Sequence, residues 1–373
     1  MYVYIISLIL TGICIYFCNK FKDNKKLRIL FLILAMIPFC TISAIRYKVG
    51  TDYAYRYLGD FNKMAEGKNV ENFEWGFKLL IKLCLVFTKD PQSLFIVTSL
   101  IINILIIYII VKYSENPYLS IAIYLFGGFF FLSLNGVRQF MAMALILFGY
   151  RYLFNKKTMP IFVLFLIMAV LLHSSAIVMI ILLGMFQKKL FKPKIVIPIS
   201  IAFLIFGRYM FNILGLVLQN TRFNVYLVGH YAKPEISWLF VVQNLFIYIF
   251  YYLMIKNSKK DTHEENLLFN VQALALIITS MESIHMLFNR IAFYFTVFQI
   301  LSVPYFMKKL EKIEVPDKVI LKKINLKKIL TKRNIYIFII CCYVLLFIYT
   351  NVLHNDNEVI PYRTVFNKKL KMY

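Results

Sequence analysis

Arg46, Lys48, Asp52, Arg56, Arg138, His173, Arg222, His230, Glu282, His285 and Arg290 fall between or at the ends of apolar runs. Several arginines facing one cavity can hold a diphosphate through bidentate, charge-assisted hydrogen bonds. His173 or Asp52 can take a proton at neutral pH. Such a set suits group transfer from a lipid-linked diphosphate. The base deprotonates an acceptor hydroxyl, while the arginines stabilise charge building on the departing diphosphate. The plainer alternative is snorkelling, in which a long side chain near the end of a span reaches water. Snorkelling explains lysine best and His173 worst, because histidine is short and this one stands between two apolar arms.

Other chemistries fit less well. The chain has no G-x-S-x-G elbow, no H-E-x-x-H pair and no G-x-x-x-x-G-K-[S/T] phosphate loop, which argues against ATP-driven transport. No D-x-D pair stands in the candidate outer segments, and Asp356-Asn357-Glu358 reads as a solvated tail. No metal and no cofactor is implied. The six cysteines lack C-x-x-C spacing and most lie inside apolar runs, where they read as small packing residues.

The elements that must position these groups are membrane spans. Of 373 residues, 61% are hydrophobic and the mean hydropathy is +0.70, well above the roughly 45–50% apolar content of soluble domains. Spans are expected at 2–18, 27–45, 92–111, 117–134, 136–154, 158–172, 174–188, 194–218, 236–256, 266–284, 287–307 and 334–352. The expected fold is therefore all-α, with about twelve transmembrane helices in one multi-span membrane domain over 1–373. The net charge of +25 sits in short clusters between apolar runs. It orients spans rather than binding nucleic acid. Lys20, Lys22, Lys25, Lys26 and Arg28 follow the first run, so that run reads as a retained span with its N-terminus outside.

Charge then assigns 19–28, 112–116, 151–157, 188–194, 256–265 and 308–333 to the cytoplasm. The alternation holds only if 46–90 is an outer loop and 159–187 is a hairpin turning at His173-Ser174-Ser175. Trp75–Thr88 reads as an amphipathic helix at the outer interface, with Lys78 and Lys82 on one side. Arg208 marks a place where 194–218 could leave the bilayer early. The basic loop 308–333 is suited to rest on anionic headgroups of membrane lipids. Tyr53, Tyr55 and Tyr57 alternate, which would set rings on one face for sugar stacking; headgroup anchoring is the alternative.

Arg46-Tyr47-Lys48-Val49-Gly50-Thr51-Asp52-Tyr53 resembles the R-x-x-x-G-T-D-Y element of the EpsG-like family, among the Wzy-type polymerases of bacterial exopolysaccharide, capsule and O-antigen. Asn135-Gly136-Val137-Arg138-Gln139, Leu172-His173-Ser174-Ser175-Ala176, Asn289-Arg290 with Tyr294-Phe295, and Ile360-Pro361-Tyr362 follow in family order. The resemblance implies a GT-C-like, metal-independent membrane glycosyltransferase in the bacterial cytoplasmic membrane, with its active site on the outer face. It would join oligosaccharide repeat units carried on undecaprenyl diphosphate. It carries over Arg46, Asp52, Tyr53, Arg138, His173 and Arg290. His173 and Asp52 are the catalytic candidates. Arg46, Lys48, Tyr53, Arg138, Gln139, Glu282, Arg290 and Tyr362 are the candidate substrate contacts. A chain-length regulator and a repeat-unit flippase are the protein partners it allows. Glycan specificity is expected in 53–75 and 194–260.

Three alternatives remain. An O-antigen-type ligase would share the donor, but such enzymes generally have a larger outer domain late in the chain, and no outer segment here exceeds 46–90. A polysaccharide transporter or flippase would carry charge at mid-membrane and on both sides. A membrane acyltransferase would use His173 and an outer carboxylate but leave the arginines little to do.

Overall fold

The computed structural model describes residues 1–71, 73–218, 236–256, 262–310, 320–321, 324–325 and 332–367. Its regular elements are helical, apart from a two-residue antiparallel pairing of Ile320–Leu321 with Ile324–Asn325. The helices are α1 (Tyr2–Lys20), α2 (Lys25–Ala44), α3 (Gly59–Ala65), α4 (Trp75–Phe87), α5 (Gln92–Tyr113), α6 (Pro117–Phe126), α7 (Phe129–Asn135), α8 (Val137–Gly149), α9 (Met159–Leu172), α10 (Leu182–Met185), α11 (Pro193–Leu218), α12 (Trp238–Lys256), α13 (His263–Ser280), α14 (Leu287–Thr296), α15 (Gln299–Leu310) and α16 (Lys332–Phe347). Arg222 and His230 lie outside the described residues, as does most of the basic loop 308–333.

Every expected span has a helical counterpart, but not every counterpart is long enough to cross a bilayer. Among the described residues six helices are long and apolar enough, and eight if each bent pair is one span. The bent pairs are α6 with α7, broken by 50°, and α14 with α15, broken by 45°. Gly128, at φ +78°, marks the first break. The shortfall lies in α8, α9 and 174–185, and in α13, whose first turn carries Glu264 and Glu265. Thirteen residues of α8 rise only about 20 Å, against a hydrocarbon core of about 30 Å.

The chain divides into two compact units. The first comprises Met1–Tyr150, Ile161–Ile177 and Met307–Tyr373; the second comprises Arg151–Pro160 and Val178–Phe306. In the first unit α2 packs on α1 and α5, and α5 packs on α8. Helix α8 is buried almost all round, as a central helix must be. At one end of this unit the start of α1, the end of α2 and the end of α7 are laced together by the C-terminal segment. Tyr4 donates to the Val359 carbonyl (2.8 Å) and Tyr362 to the Ile42 carbonyl (2.8 Å). Arg46 bridges Thr364 through the backbone. Asn135 Nδ2 donates to Asn357 Oδ1 (2.7 Å), and Asn357 donates in turn to Asn351 (3.0 Å).

In the second unit, α13 is the central helix. Asn244, Gln272 and Gln299 form a buried amide cluster: Gln272 Nε2 (3.1 Å) and Gln299 Nε2 (2.9 Å) both donate to Asn244 Oδ1. Asn270 fastens the loop before α11, donating to the Met185 and Lys188 carbonyls and accepting from the Leu190 amide. These amides satisfy one another and the loop backbone, as polar groups among apolar helices must.

Candidate active site

Helix α4 divides into three faces. Phe77, Ile81 and Cys84 are buried; Trp75, Leu79, Leu83, Val86 and Phe87 are exposed; of the two lysines, Lys78 is half-buried and Lys82 exposed. This is the pattern of the expected amphipathic helix. Its N-cap is Glu74, whose extended backbone turns the chain into the first helical turn. Gly76 lets that turn lie directly on the end of α9. A Cβ there would stand 2.7 Å from the Leu171 carbonyl oxygen, closer than real Cβ atoms come.

This approach brings Glu74 to His173. Glu74 Oε1 lies 3.0 Å from His173 Nδ1 and accepts from the Ser174 amide at 3.0 Å. Glu74 Oε2 pairs with the Arg138 guanidinium. Arg138 stands in the first turn of α8, and its guanidinium lies 4.7 Å from the centre of the Phe73 ring. Its side chain is 7% exposed, while Glu74 and His173 are each 18% exposed. One carboxylate therefore joins two basic residues that are 35 positions apart in sequence, and all three belong to the first unit.

Burial alone would raise the Glu74 carboxyl above its ordinary 4.5. The His173 hydrogen bond, the Arg138 charge and the Ser174 amide outweigh it and pull the carboxyl down to about 2. Glu74 is thus ionised throughout the neutral range. Beside an ionised carboxylate Nδ1 is the donor, so in the neutral ring the lone pair lies on Nε2. A histidine so held is the orienting arrangement that general-base catalysis needs.

The other candidates carried by the first unit are Arg46, Lys48, Asp52, Tyr53, Gln139 and Tyr362. Arg46 is 1% exposed, with Nη1 donating to the Leu134 carbonyl (2.7 Å) and the guanidinium 5.1 Å from the Phe95 ring centre. No carboxylate pairs with it among the described residues, and burial lowers it to about 10, so it stays charged. It ties the end of α2 to the α7–α8 junction that carries Arg138. Tyr53 is buried, stacked on Phe95 (4.1 Å) and donating to Gln92 Oε1 (3.0 Å). Gln92 in turn donates to the Ala44 carbonyl (2.5 Å).

The tyrosine alternation does not make a stacking platform. Residues Tyr53–Leu58 form a π-helical turn, in which positions four apart share a face. Tyr53 and Tyr57 therefore point together into the core. The Tyr55 side chain lies outside the described set.

Lys48 is exposed at φ +51°, two residues before Gly50 at φ +100°. Asp52 is half-buried, and its side chain makes no hydrogen bond or ion pair among the described residues. Gln139 is buried beside Arg138, and Tyr362 belongs to the C-terminal lacing. Glu282 and Arg290 are carried by the second unit. Glu282 is 1% exposed: Oε2 accepts the Ser237 amide (3.1 Å), and Oε1 has no hydrogen-bond partner among the described residues. Arg290 is exposed on α14. Among the described residues no three metal-ligating side chains converge.

Glu74 is the residue that sequence reasoning passed over. Read along the chain, it looks like an ordinary residue ahead of a surface helix. The available signal was Gly76, a glycine inside an apolar helix, which marks close backbone approach.

No curated protein and no solved structure matches the chain. A model of the EpsG family matches residues 28–364, nearly the whole chain, including the elements around Arg46, Arg138, His173, Arg290 and Tyr362. The chain belongs to the EpsG family.

Proposed function

We propose that this protein is a polysaccharide polymerase: a membrane glycosyltransferase that joins oligosaccharide repeat units carried on undecaprenyl diphosphate at the outer face of the bacterial cytoplasmic membrane. Membership of the EpsG family connects the chain with exopolysaccharide polymerisation, and its long apolar helices fit a membrane protein. The observation that carries the finer reading is His173 held by Glu74 with Arg138 alongside. His173 Nε2 takes the proton from a sugar hydroxyl of the acceptor unit. The freed oxygen attacks the anomeric carbon of the donor. The bond from that carbon to the diphosphate breaks, and the electron pair leaves on the polyprenyl diphosphate. Nothing in this route calls for a metal, provided that basic side chains meet the leaving charge. Exposed Lys48, on the same unit as His173, is proposed for that role.

The test uses purified full-length protein in liposomes with lipid-linked repeat units. A ladder of lengthening glycan on lipid supports the polymerase. Transfer to a core lipid makes it a ligase, and translocation without a new glycosidic bond makes it a transporter. Either result ends the polymerase reading.

A further inference from the structure

We infer that Glu74 is a positioning residue of this site and that Arg138 acts chiefly through it, so that Glu74, His173 and Arg138 work as one unit. The inference rests on the proposed base role of His173. Three features separate Glu74 from an ordinary helix cap. Its carboxylate caps no amide of its own helix with its side chain; both oxygens turn away, to Ser174, His173 and Arg138. Its approach is enforced by backbone, since Gly76 lies against the Leu171 carbonyl. Its charge is locked by a guanidinium that Phe73 and Phe77 hold in place at 4.7 and 5.9 Å.

The consequence for the imidazole is specific. An ionised Glu74 accepts from Nδ1–H, which fixes the tautomer with a lone pair on Nε2. It also stabilises the imidazolium that forms when Nε2 takes the acceptor proton. Arg138 opposes that second effect by its own positive charge, but it keeps the carboxylate ionised and oriented. Arg138 is thereby committed to the carboxylate rather than being the first ligand of the diphosphate. Among the described residues, the charged or titratable groups around this centre include Glu74 before α4, Arg138 on α8 and, beside Arg138, Tyr57, with Asp52 and Arg56 near Tyr57.

The experiment compares full-length wild type, Glu74→Gln and His173→Ala across pH, using lipid-linked repeat units purified from cells that express His173→Ala. Glutamine keeps the size and a carbonyl acceptor but removes the charge. Glu74→Gln is expected to lower kcat by about 10²-fold or more. The acid limb of its kcat/KM profile is expected to move to lower pH, because the imidazolium loses its carboxylate while Arg138 remains. A purely structural role for Glu74 would lower activity and leave that limb where it is. An unshifted limb, or full activity, overturns the inference. An active His173→Ala overturns the parent reading instead, so the two failures are distinguishable.

A second measurement needs no variant to be active. In wild-type protein with 15N-labelled histidine, the signal absent from His173→Gln is expected to show the Nδ1-protonated tautomer at alkaline pH. The Nε2-protonated tautomer would overturn the inference even if Glu74→Gln did not accumulate.

Discussion

Gly76→Ala should damage the site without touching any side chain in it. The added Cβ would meet the Leu171 carbonyl oxygen at 2.7 Å, the Leu171 carbonyl carbon at 3.0 Å and the Leu171 Cβ at 3.1 Å. Two of the three are backbone atoms near the end of α9, so no flexible side chain can swing aside. To restore ordinary contact, which begins at 3.4 Å, the first turn of α4 must retreat by about 0.7 Å. Transmitted to Glu74, that movement stretches its hydrogen bond to His173 from 3.0 Å to about 3.7 Å, outside hydrogen-bonding range. Overpacking of this kind costs about 1–3 kcal/mol, which a multi-span protein should survive. A misplacement approaching 1 Å costs about 10²-fold in rate. Gly12→Ala on α1, where an added Cβ meets nothing within 4 Å, is the control and should retain wild-type activity. The assay is initial rate on lipid-linked repeat units at matched amounts of inserted protein. A Gly76→Ala protein with wild-type rate would refute the chain of reasoning from α4 to His173.

Three further outcomes follow from the same contacts. Arg138→Met leaves the Glu74 carboxylate without its guanidinium and should cost about 3 kcal/mol or more, read as a lower melting temperature in detergent; Arg138→Met combined with Glu74→Gln should recover part of it. Gly50→Ala places a Cβ 2.5 Å from Asn135 Oδ1 at φ +100°, and should destabilise by about 2 kcal/mol or more, measured by the same melt. The Glu74 carboxyl is lower in the folded protein than when free, so its stabilisation is complete above about pH 4.5 and is lost as pH falls towards about 2; Glu74→Gln should flatten the wild-type loss of stability over that window.

The sequence made the spans legible because bilayer burial leaves long apolar runs, and α1, α2, α5 and α12 lie where those runs predict. The short helices were harder. Apolar content marks the stretches that form α8 and α9, but not that the helices stop at 13 and 14 residues. Arg138 and His173 stood out because a charge or an imidazole beside apolar runs is costly. Glu74 did not, since its meaning depends on Gly76 meeting Leu171, a contact between positions 95 residues apart. The alternating tyrosines misled for the opposite reason. Period-two spacing predicts one exposed face only in extended chain, whereas Tyr53–Leu58 coils into a π-helical turn and buries Tyr53 and Tyr57. Arg46 was legible as important but not in kind: its guanidinium is enclosed against Leu134 and Phe95. The element at Tyr362 proved to be the segment that laces Ile42–Gly50 in place, a contact across more than 300 residues.

The central claim is that His173 is the base of a glycan-joining reaction. The most direct measurement is the product made by cells expressing His173→Ala, with the amount of inserted protein matched to wild type. Loss of a positioned general base costs about 10²–10⁴-fold. Long polymer is therefore expected to disappear and single repeat units to accumulate on lipid. Wild-type amounts of full-length polymer from correctly inserted His173→Ala would contradict it.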